Sequence, residues 1–353
     1  MITLLGISIF VADRNLEENM NYMKEMKEAG CTEIFTSLHM PEDDIEVLKD
    51  KLLGVASAAK QLGMNLMADI SGKALKEFSF PFLLESGVTG LRMDFGFSAH
   101  EIAAYSQKMK IALNASTLTP EFLAALKDHQ ICLENIEAWH NYYPRPETGL
   151  DKETFIEKNK WLQAEGITTM AFIPGDGLKR KPLFESLPTL EKHRNQSSFL
   201  AYLELENDCA LDKIFVGDLT LSAWSQHQFH RYAEGIIPLR VTREQPYALW
   251  DIVHQNRLDA ARDVVRSETA RTDEKRFVMT KNITPMHTNK RPKGTITLDN
   301  YLYGRYEHEL QITLTDLPAH EGVNVIGHVI EEDIPLLDYV RKGGSRFSFI
   351  TAS

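Results

Sequence analysis

The 353-residue sequence has only three cysteines, Cys31, Cys132 and Cys209, and they lie far apart. An odd, scattered set excludes a disulfide framework and reads as reduced, buried side chains of a cytoplasmic protein. No CxxC, HxH or HExxH spacing occurs, so zinc has no recognisable ligand set. No GxGxxG or Walker-type loop follows any candidate strand, which argues against an open nucleotide-binding sheet. No apolar run is long enough to span a bilayer. The opening MITLLGISIFVAD lacks a basic lead-in and soon turns acidic, so it reads as a strand rather than a leader. Positive charge is also short. Lys and Arg number 39 against 50 Asp and Glu, a net charge of −11. Nucleic acid and anionic membranes are therefore not the expected partners. An anionic small molecule is still allowed, because a local group of Arg, Lys and His can oppose the global field.

What is present is an ordinary globular composition, 43% hydrophobic and 25% charged, in a chain longer than one typical domain. From Leu4 to about Gly235 strand and helix signals alternate. Strands are expected at Leu4–Phe10, Glu33–Leu38, Asn65–Ile70, Gly90–Phe95, Lys110–Asn114, Ile131–Glu137, Thr168–Ile173 and Lys213–Asp218. The helix Asn15–Ala29 is closed by Gly30. The clearest amphipathic stripe, Ile45, Leu48, Leu52, Val55, Ala59 and Leu62, follows Pro41 and the acidic Glu42, Asp43 and Asp44. Ser98-Ala99-His100-Glu101 has capping-box spacing. Further helices are expected at Asp151–Glu165, Pro188–Glu206 and Ser222–Glu234. Eight strand–helix units predict an α/β fold, a (β/α)8 TIM barrel over 1–235.

After Gly235 the rhythm changes. Ile236–Val241, Arg276–Thr280, Thr295–Leu298, Glu309–Thr315 and Val323–Ile330 read as strands, with one helical stretch at Pro246–Asn256. This predicts a smaller, mainly β domain over 236–353. No low-complexity linker separates the two parts.

Such barrels bind ligands at the C-terminal ends of their strands. Ser37 and His39 end the second strand, Asp69 the third, Arg92 and Asp94 the fourth, and Asn114 the fifth. Glu137 ends the sixth, Asp176 follows the seventh and Asp218 ends the eighth. In the last strand Ile214, Val216 and Asp218 share parity, which reads as an apolar interior ending in a carboxylate. For Asp176 and Asp218, each beside a glycine, a helix cap or solvated turn competes with a ligand role. The sixth strand runs into a polar, aromatic loop with His140, Asn141, Tyr142, Tyr143 and Arg145, where Pro144 and Pro146 forbid regular structure.

Several carboxylates with amides, hydroxyls and aromatics, and no Cys or His cluster, suit glycosidic bond cleavage. That chemistry needs one carboxylic acid and a second carboxylate as nucleophile or base. Glu137, Asp94 and Asp69 are the candidates, in no fixed order. Ser37, Asn114, His140, Asn141, Tyr143, Asp176 and Asp218 are candidates to hold the sugar. His39, Arg92 and Arg145 are candidates to hold an anion. The basic run Lys179-Arg180-Lys181 follows the seventh strand, where barrels often bind phosphate. In the β domain Asn300, Tyr303, Arg305 and Tyr306 form a polar cluster. Arg305 is its candidate substrate contact, and an interface patch is the competing reading.

Longer motifs carry a resemblance. IFTSLHMPEDD (34–44), ADISGKAL (68–75), GVTGLRMDFG (87–96), LNAST (113–117) and EAWHNYYPRPETGL (137–150) resemble the bacterial 6-phospho-N-acetylmuramidase family. That family was formerly a conserved domain of unknown function, sometimes called outer surface protein. FIPGDG (172–177), LPTLEKHR (187–194), GTITLDNYLYGRYEHELQI (294–312) and VNVIGHVIEEDIPLLD (323–338) extend the resemblance over nearly the whole chain. One departure is Leu219, where the family pattern has Pro after Gly-Asp.

The resemblance implies a TIM barrel followed by a cyclophilin-like β domain. It also implies cytoplasmic hydrolysis of the β-1,4 bond between 6-phospho-N-acetylmuramic acid and N-acetylglucosamine in peptidoglycan recycling. The expected partner is that phosphorylated amino-sugar disaccharide. No cofactor or metal is expected, and nothing argues an oligomeric state. Two other classes stay open: a non-catalytic sugar-phosphate binding protein, and a metal-dependent sugar-phosphate aldolase or epimerase.

Overall fold

A computed structural model describes residues 3–38, 45–209, 211–245, 247–271 and 282–352. The chain divides into two compact units, Met1–Phe229 and His230–Ser353.

The first unit is a closed barrel of eight parallel strands. They are β1 (Leu4–Ser8), β2 (Glu33–Ser37), β3 (Asn65–Ile70), β4 (Gly90–Met93), β5 (Lys110–Asn114), β6 (Ile136–Trp139), β7 (Thr168–Ile173) and β8 (Lys213–Val216). β8 closes on β1 through Leu4↔Lys213 to Ile7↔Val216. Helices α1 (Leu16–Glu28), α2 (Ile45–Leu62), α3 (Gly72–Phe78), α4 (Phe80–Ser86) and α5 (Ala99–Ser106) belong to the first half. Helices α6 (Pro120–Asp128), α7 (Lys152–Ala164), α8 (Ser198–Asp208) and α9 (Ala223–Ala233) follow. Their starts are chemically marked: Asn15 with Glu18, and Ser98 with Glu101, each satisfy two orphan backbone N–H groups reciprocally. The lead-in to α2, including His39 and Pro41, lies outside the described residues.

Three strands, β3, β5 and β7, have the bounds the sequence predicts. β6 does not. Leu133–Asn135 forms a 3-10 turn, so the strand begins at Ile136 rather than Ile131. The helix expected from Pro188 begins at Ser198.

Alternate residues of each strand face the interior, and the register stacks them in fours from alternate strands. The lowest layer is Glu33, Gly90, Glu137 and Lys213. Above it come Gly6, Met67, Ala112 and Met170, then Phe35, Arg92, Trp139 and Phe215. Ser8, Asp69, Asn114 and Phe172 follow, and Ser37, Asp94 and Asn141 ring the mouth. Glycine at position 6 has a steric reason, since a Cβ there would lie 2.5 Å from the Phe215 ring. Outward residues such as Ile34, Leu91, Ile214 and Val216 are buried as well, as expected for a parallel sheet covered by helices.

The second unit is one seven-stranded sheet in the order β10-β15-β9-β14-β12-β13-β11. Its strands are β9 (Ile236–Arg243), β10 (Val253–Gln255), β11 (Val264–Arg266), β12 (Thr295–Asp299), β13 (Leu310–Thr313), β14 (Val323–Val329) and β15 (Arg346–Thr351). All neighbours are antiparallel except β15 and β9. β10, β11 and β15 were not expected. The helix expected at Pro246–Asn256 is replaced by the short 3-10 turn Ala248–Asp251 and β10. The strand expected at Arg276–Thr280 lies outside the described residues. Among the described residues no helix is long and apolar enough to cross a membrane.

Candidate active site

The mouth of the barrel holds one compact polar cluster built on β3, β4 and the loop after β6. Arg92 Nη1 donates to Asp69 Oδ1 at 2.7 Å and lies 3.7 Å from Asp94 Oδ1. Its Nη2 donates to Asn141 Oδ1. Parity explains the grouping: Arg92 faces inward beside Asp69 in the register, and Asp94 follows two residues later on the same face. The three side chains differ in access. Arg92 is 6% exposed, Asp69 10% and Asp94 31%. A cation buried between two carboxylates seldom adds stability, so the arrangement calls for another reason.

Phe35, Tyr142 and Phe172 wall a cleft of about 210 Å³ over this cluster. Their rings meet edge to face, with centroids 5.2 to 6.4 Å apart. Burial pushes the Tyr142 phenol up, opposed by the nearby Arg180 charge. Arg180 Nη1 donates to Tyr142 Oη at 2.8 Å. The guanidinium carbon lies 3.8 Å from the Phe10 ring centroid, and Nε is 3.3 Å from Asp13 Oδ2. Tyr142, Phe35 and Phe172 were not singled out as cleft walls. Their signal was available, because each carries the inward parity or follows the loop that ends β6.

Several expected site residues sit elsewhere. Glu137 faces inward but occupies the lowest layer, since β6 starts late. It is 3.0 Å from Lys213 Nζ and accepts from Trp139 Nε1 at 2.8 Å. Glu33 completes this group at 3.2 Å from Lys213. Glu137 therefore does not reach the mouth, which corrects its expected catalytic place. His140 points the other way, into the helical layer. Its Nε2 bonds Asn159 Oδ1 at 2.7 Å and its ring packs on Phe155. Burial lowers its pKa to about 4.

Asp218 also faces outward, because Lys213 and Phe215 are the inward residues of β8. Its Oδ2 accepts from the backbone N–H of Gly175 (2.9 Å) and Leu187 (3.1 Å), pinning both feet of the loop after β7. Burial raises its pKa against those two bonds. Asp176 caps α9, accepting from Ser222 N (2.8 Å), Ser222 Oγ (2.6 Å) and Ser225 Oγ (2.8 Å).

Of the remaining expected residues, Ser37 is buried at the mouth, paired in register with Asp69. Asn114 is half-buried, its Oδ1 accepting from Ser116 N at 3.0 Å. Tyr143 is tied to Pro188 O through its backbone N–H, and Arg145 is exposed. Neither lines the cleft. His39 lies outside the described residues. In the second unit Arg305 lies over the Tyr306 ring and donates to its hydroxyl at 2.8 Å. Asn300 is a buried structural amide bonded to Glu321 O and Asn324 Oδ1. Among the described residues no three His, Cys, Asp or Glu side chains converge as a metal site requires.

Two family models match the chain. One described as 6-phospho-N-acetylmuramidase, N-terminal, covers residues 5–231, and one described as 6-phospho-N-acetylmuramidase, C-terminal, covers residues 239–350. Among solved structures the chain is similar to a conserved Enterococcus faecalis protein of unknown function. The identity is 43% over 99% of this chain and 97% of that one, with a TM-score of 0.88. It is also similar to an uncharacterized B. cereus protein, at 25% identity over 99% of this chain and all 100% of that one, with a TM-score of 0.74. A search of curated proteins found no match.

Proposed function

The chain belongs to the 6-phospho-N-acetylmuramidase family, and on that premise we propose that it is a glycoside hydrolase acting on 6-phospho-N-acetylmuramyl–N-acetylglucosamine. The observation that carries this reading is the pair Asp69 and Asp94, held on a single guanidinium nitrogen at the floor of an aromatic cleft. Glycosidic cleavage needs one carboxyl group to protonate the leaving oxygen and a second carboxylate at the anomeric centre. Phe35, Tyr142 and Phe172 offer ring faces and edges to a pyranose.

Arg92 is committed to two carboxylates and an amide, so it is the brace of the pair rather than a grip for substrate phosphate. Arg180 is the better cation for an anionic substituent. It is bonded to Tyr142, a residue of the cleft wall, and its Nη2 makes no bond among the described residues. We read the reaction as cytoplasmic, because a phosphorylated recycling intermediate is met inside the cell. We read the second unit, nominally 236–353, as cyclophilin-like on the family resemblance, a matter of shape and not of activity.

The test is a product assay with the phosphorylated and unphosphorylated disaccharides, with and without chelator. Cleavage of the phosphorylated substrate alone, unaffected by chelator, is the expected result. Binding without turnover would replace this reading with a sugar-phosphate sensor, and loss of activity with chelator would replace it with a metal-dependent enzyme.

A further inference from the structure

The segment LPTLEKHR (187–194) contributes no side chain to the cleft. It runs beside the loop after β6 and is bonded to it. Thr189 Oγ1 donates to Asn141 O at 2.9 Å, and the Tyr143 and Leu150 N–H groups donate to Pro188 O (2.9 Å) and Thr189 O (2.8 Å). At the end of the segment Arg194 and Glu191 form a bidentate pair, Nε to Oε1 at 2.7 Å and Nη2 to Oε2 at 2.6 Å. Arg194 is buried. Its Nη1 donates to Glu185 O (3.0 Å) and Ser186 O (3.1 Å), and its Nη2 to Arg145 O (3.3 Å). Glu191 accepts from the Glu147 and Gly149 N–H groups, each at 2.8 Å. One ion pair therefore ties the loop after β6, at Arg145, Glu147 and Gly149, to the loop after β7, at Glu185 and Ser186.

The tie falls where the backbone is strained. Glu147 (φ 71°) and Ser186 (φ 66°) occupy the left-handed region that side chains avoid. Each is bonded directly to the pair, Glu147 through its N–H and Ser186 through its carbonyl oxygen. Such conformations persist where the surroundings over-determine them, and they gather at functional sites. Gly149 fits the same picture, because a Cβ there would lie 2.6 Å from the Glu191 backbone nitrogen. The Arg194 guanidinium, helped by the two N–H groups, holds the Glu191 carboxyl down to about 2 against partial desolvation. The pair thus stays ionised at any ordinary pH.

The tied loops carry the groups that meet at the cleft wall. The loop after β6 supplies Asn141 and Tyr142, and the loop after β7 supplies Arg180, bonded to Tyr142 Oη. Ser186 extends the tie toward Arg180, since its Oγ accepts from Lys179 Nζ at 2.5 Å. We propose that Arg194 and Glu191 are positioning residues, which set the gap between these two loops and so hold Arg180 against Tyr142 for substrate selection. The selection part rests on the hydrolase reading, while the coupling of the loops does not.

The test compares Arg194→Met, Arg180→Gln and the double variant on the phosphorylated and unphosphorylated disaccharides. Arg194→Met should lower kcat/KM for the phosphorylated substrate by about tenfold, chiefly through KM, and leave the unphosphorylated rate nearly unchanged. In the Arg180→Gln background it should shift the ratio of the two substrates by less than about twofold, because the two residues act in series. Glu191→Gln, a milder change, should shift the ratio in the same direction. Full additivity in the double variant, or equal loss on both substrates, would overturn the selection role.

Hydrogen exchange on the free protein keeps the two readings separable. Arg194→Met should speed exchange in 143–150 and 183–190 together by at least about tenfold, with β6 and β7 unchanged. That result supports the tie even if neither disaccharide is cleaved. Faster exchange in one loop alone, or in neither, overturns it.

Discussion

The barrel contains the same charge motif twice. At the bottom Lys213 stands between Glu33 and Glu137, and at the mouth Arg92 stands between Asp69 and Asp94. The lower contacts are nearly equal, 3.2 and 3.0 Å, and every side chain is shut in, at 11% exposure or less. Asn65 and Trp139 occupy further carboxylate oxygens. The upper contacts are unequal, 2.7 and 3.7 Å, and Asp94 is 31% exposed on the side of the cleft. Two carboxylates and a cation do not by themselves make a site. The lower set is satisfied and closed. The upper set leaves one carboxylate loosely paired where a substrate can reach it.

The sharpest test of this contrast removes one carboxylate from each set. Asp94→Asn should lower kcat by about 10³-fold, within the 10²–10⁴ range of general acid–base groups. Its thermal midpoint should stay near wild type, because Asp94 contributes little to closed packing. Glu137→Gln should do the reverse. The change takes one charge-assisted partner from Lys213, which keeps Glu33, at a cost of about 1.5–3 kcal/mol, and so should lower Tm by about 3–12 °C. Its kcat/KM should stay within about threefold of wild type below the melting range. If Glu137→Gln is as stable as wild type but inactive, the contrast collapses and Glu137 returns as a catalytic group.

How legible this was in the sequence depended on burial. The alternation of strand and helix, the bounds of β3, β5 and β7, and the capping box at Ser98 were all readable from period and polar spacing. The inward parity of Arg92 with Asp94 was readable too, and so was that of Glu137. The height of Glu137 was not, because Cys132–Asn135 looks like the start of an apolar strand but folds as a 3-10 turn. Asp218 was misread for a different reason. Ile214 and Val216 are as buried as Phe215, so hydrophobicity alone cannot tell the barrel interior from the face under the helices. A single lysine, Lys213, was the cue to the true inward face. Long-range partners such as Arg180 with Tyr142 and Asp13 have no local signature at all.

His140 offers a smaller effect and tests inward against outward on the same stretch. Its folded pKa is depressed to about 4 by burial, while Asn159 favours the charged form and Lys158 opposes it. The unfolded chain takes up the proton near pH 6.5. Stability from this group is therefore full above about pH 6.5 and is lost as pH falls toward 4, by up to about 3 kcal/mol. His140→Gln, which keeps an amide for Asn159, should flatten the slope of unfolding free energy between those two pH values. A catalytic rather than structural histidine would instead leave the slope intact and alter the pH profile of kcat.

The smallest expected effect concerns the cation that the upper set has and the lower set lacks. Arg180 is bonded to Tyr142 of the cleft wall, lies over the Phe10 face and makes a 3.3 Å contact to Asp13. None of these neutralises it as fully as two carboxylates hold Arg92. A charge-assisted bond to a substrate oxyanion is worth about 1.5–3 kcal/mol. Arg180→Gln should therefore lower kcat/KM for the phosphorylated disaccharide by about 10–100-fold, chiefly through KM, and barely change the low rate on the unphosphorylated one. Arg180→Lys should recover only part of the loss, since a point charge cannot reproduce a planar fork. Measuring the ratio of the two substrates in both variants separates anion selection from a general loosening of the loop, because loosening would lower both rates together. If the ratio is unchanged in Arg180→Gln, the anion is held elsewhere, and exposed Arg145 and Lys181 become the next side chains to replace.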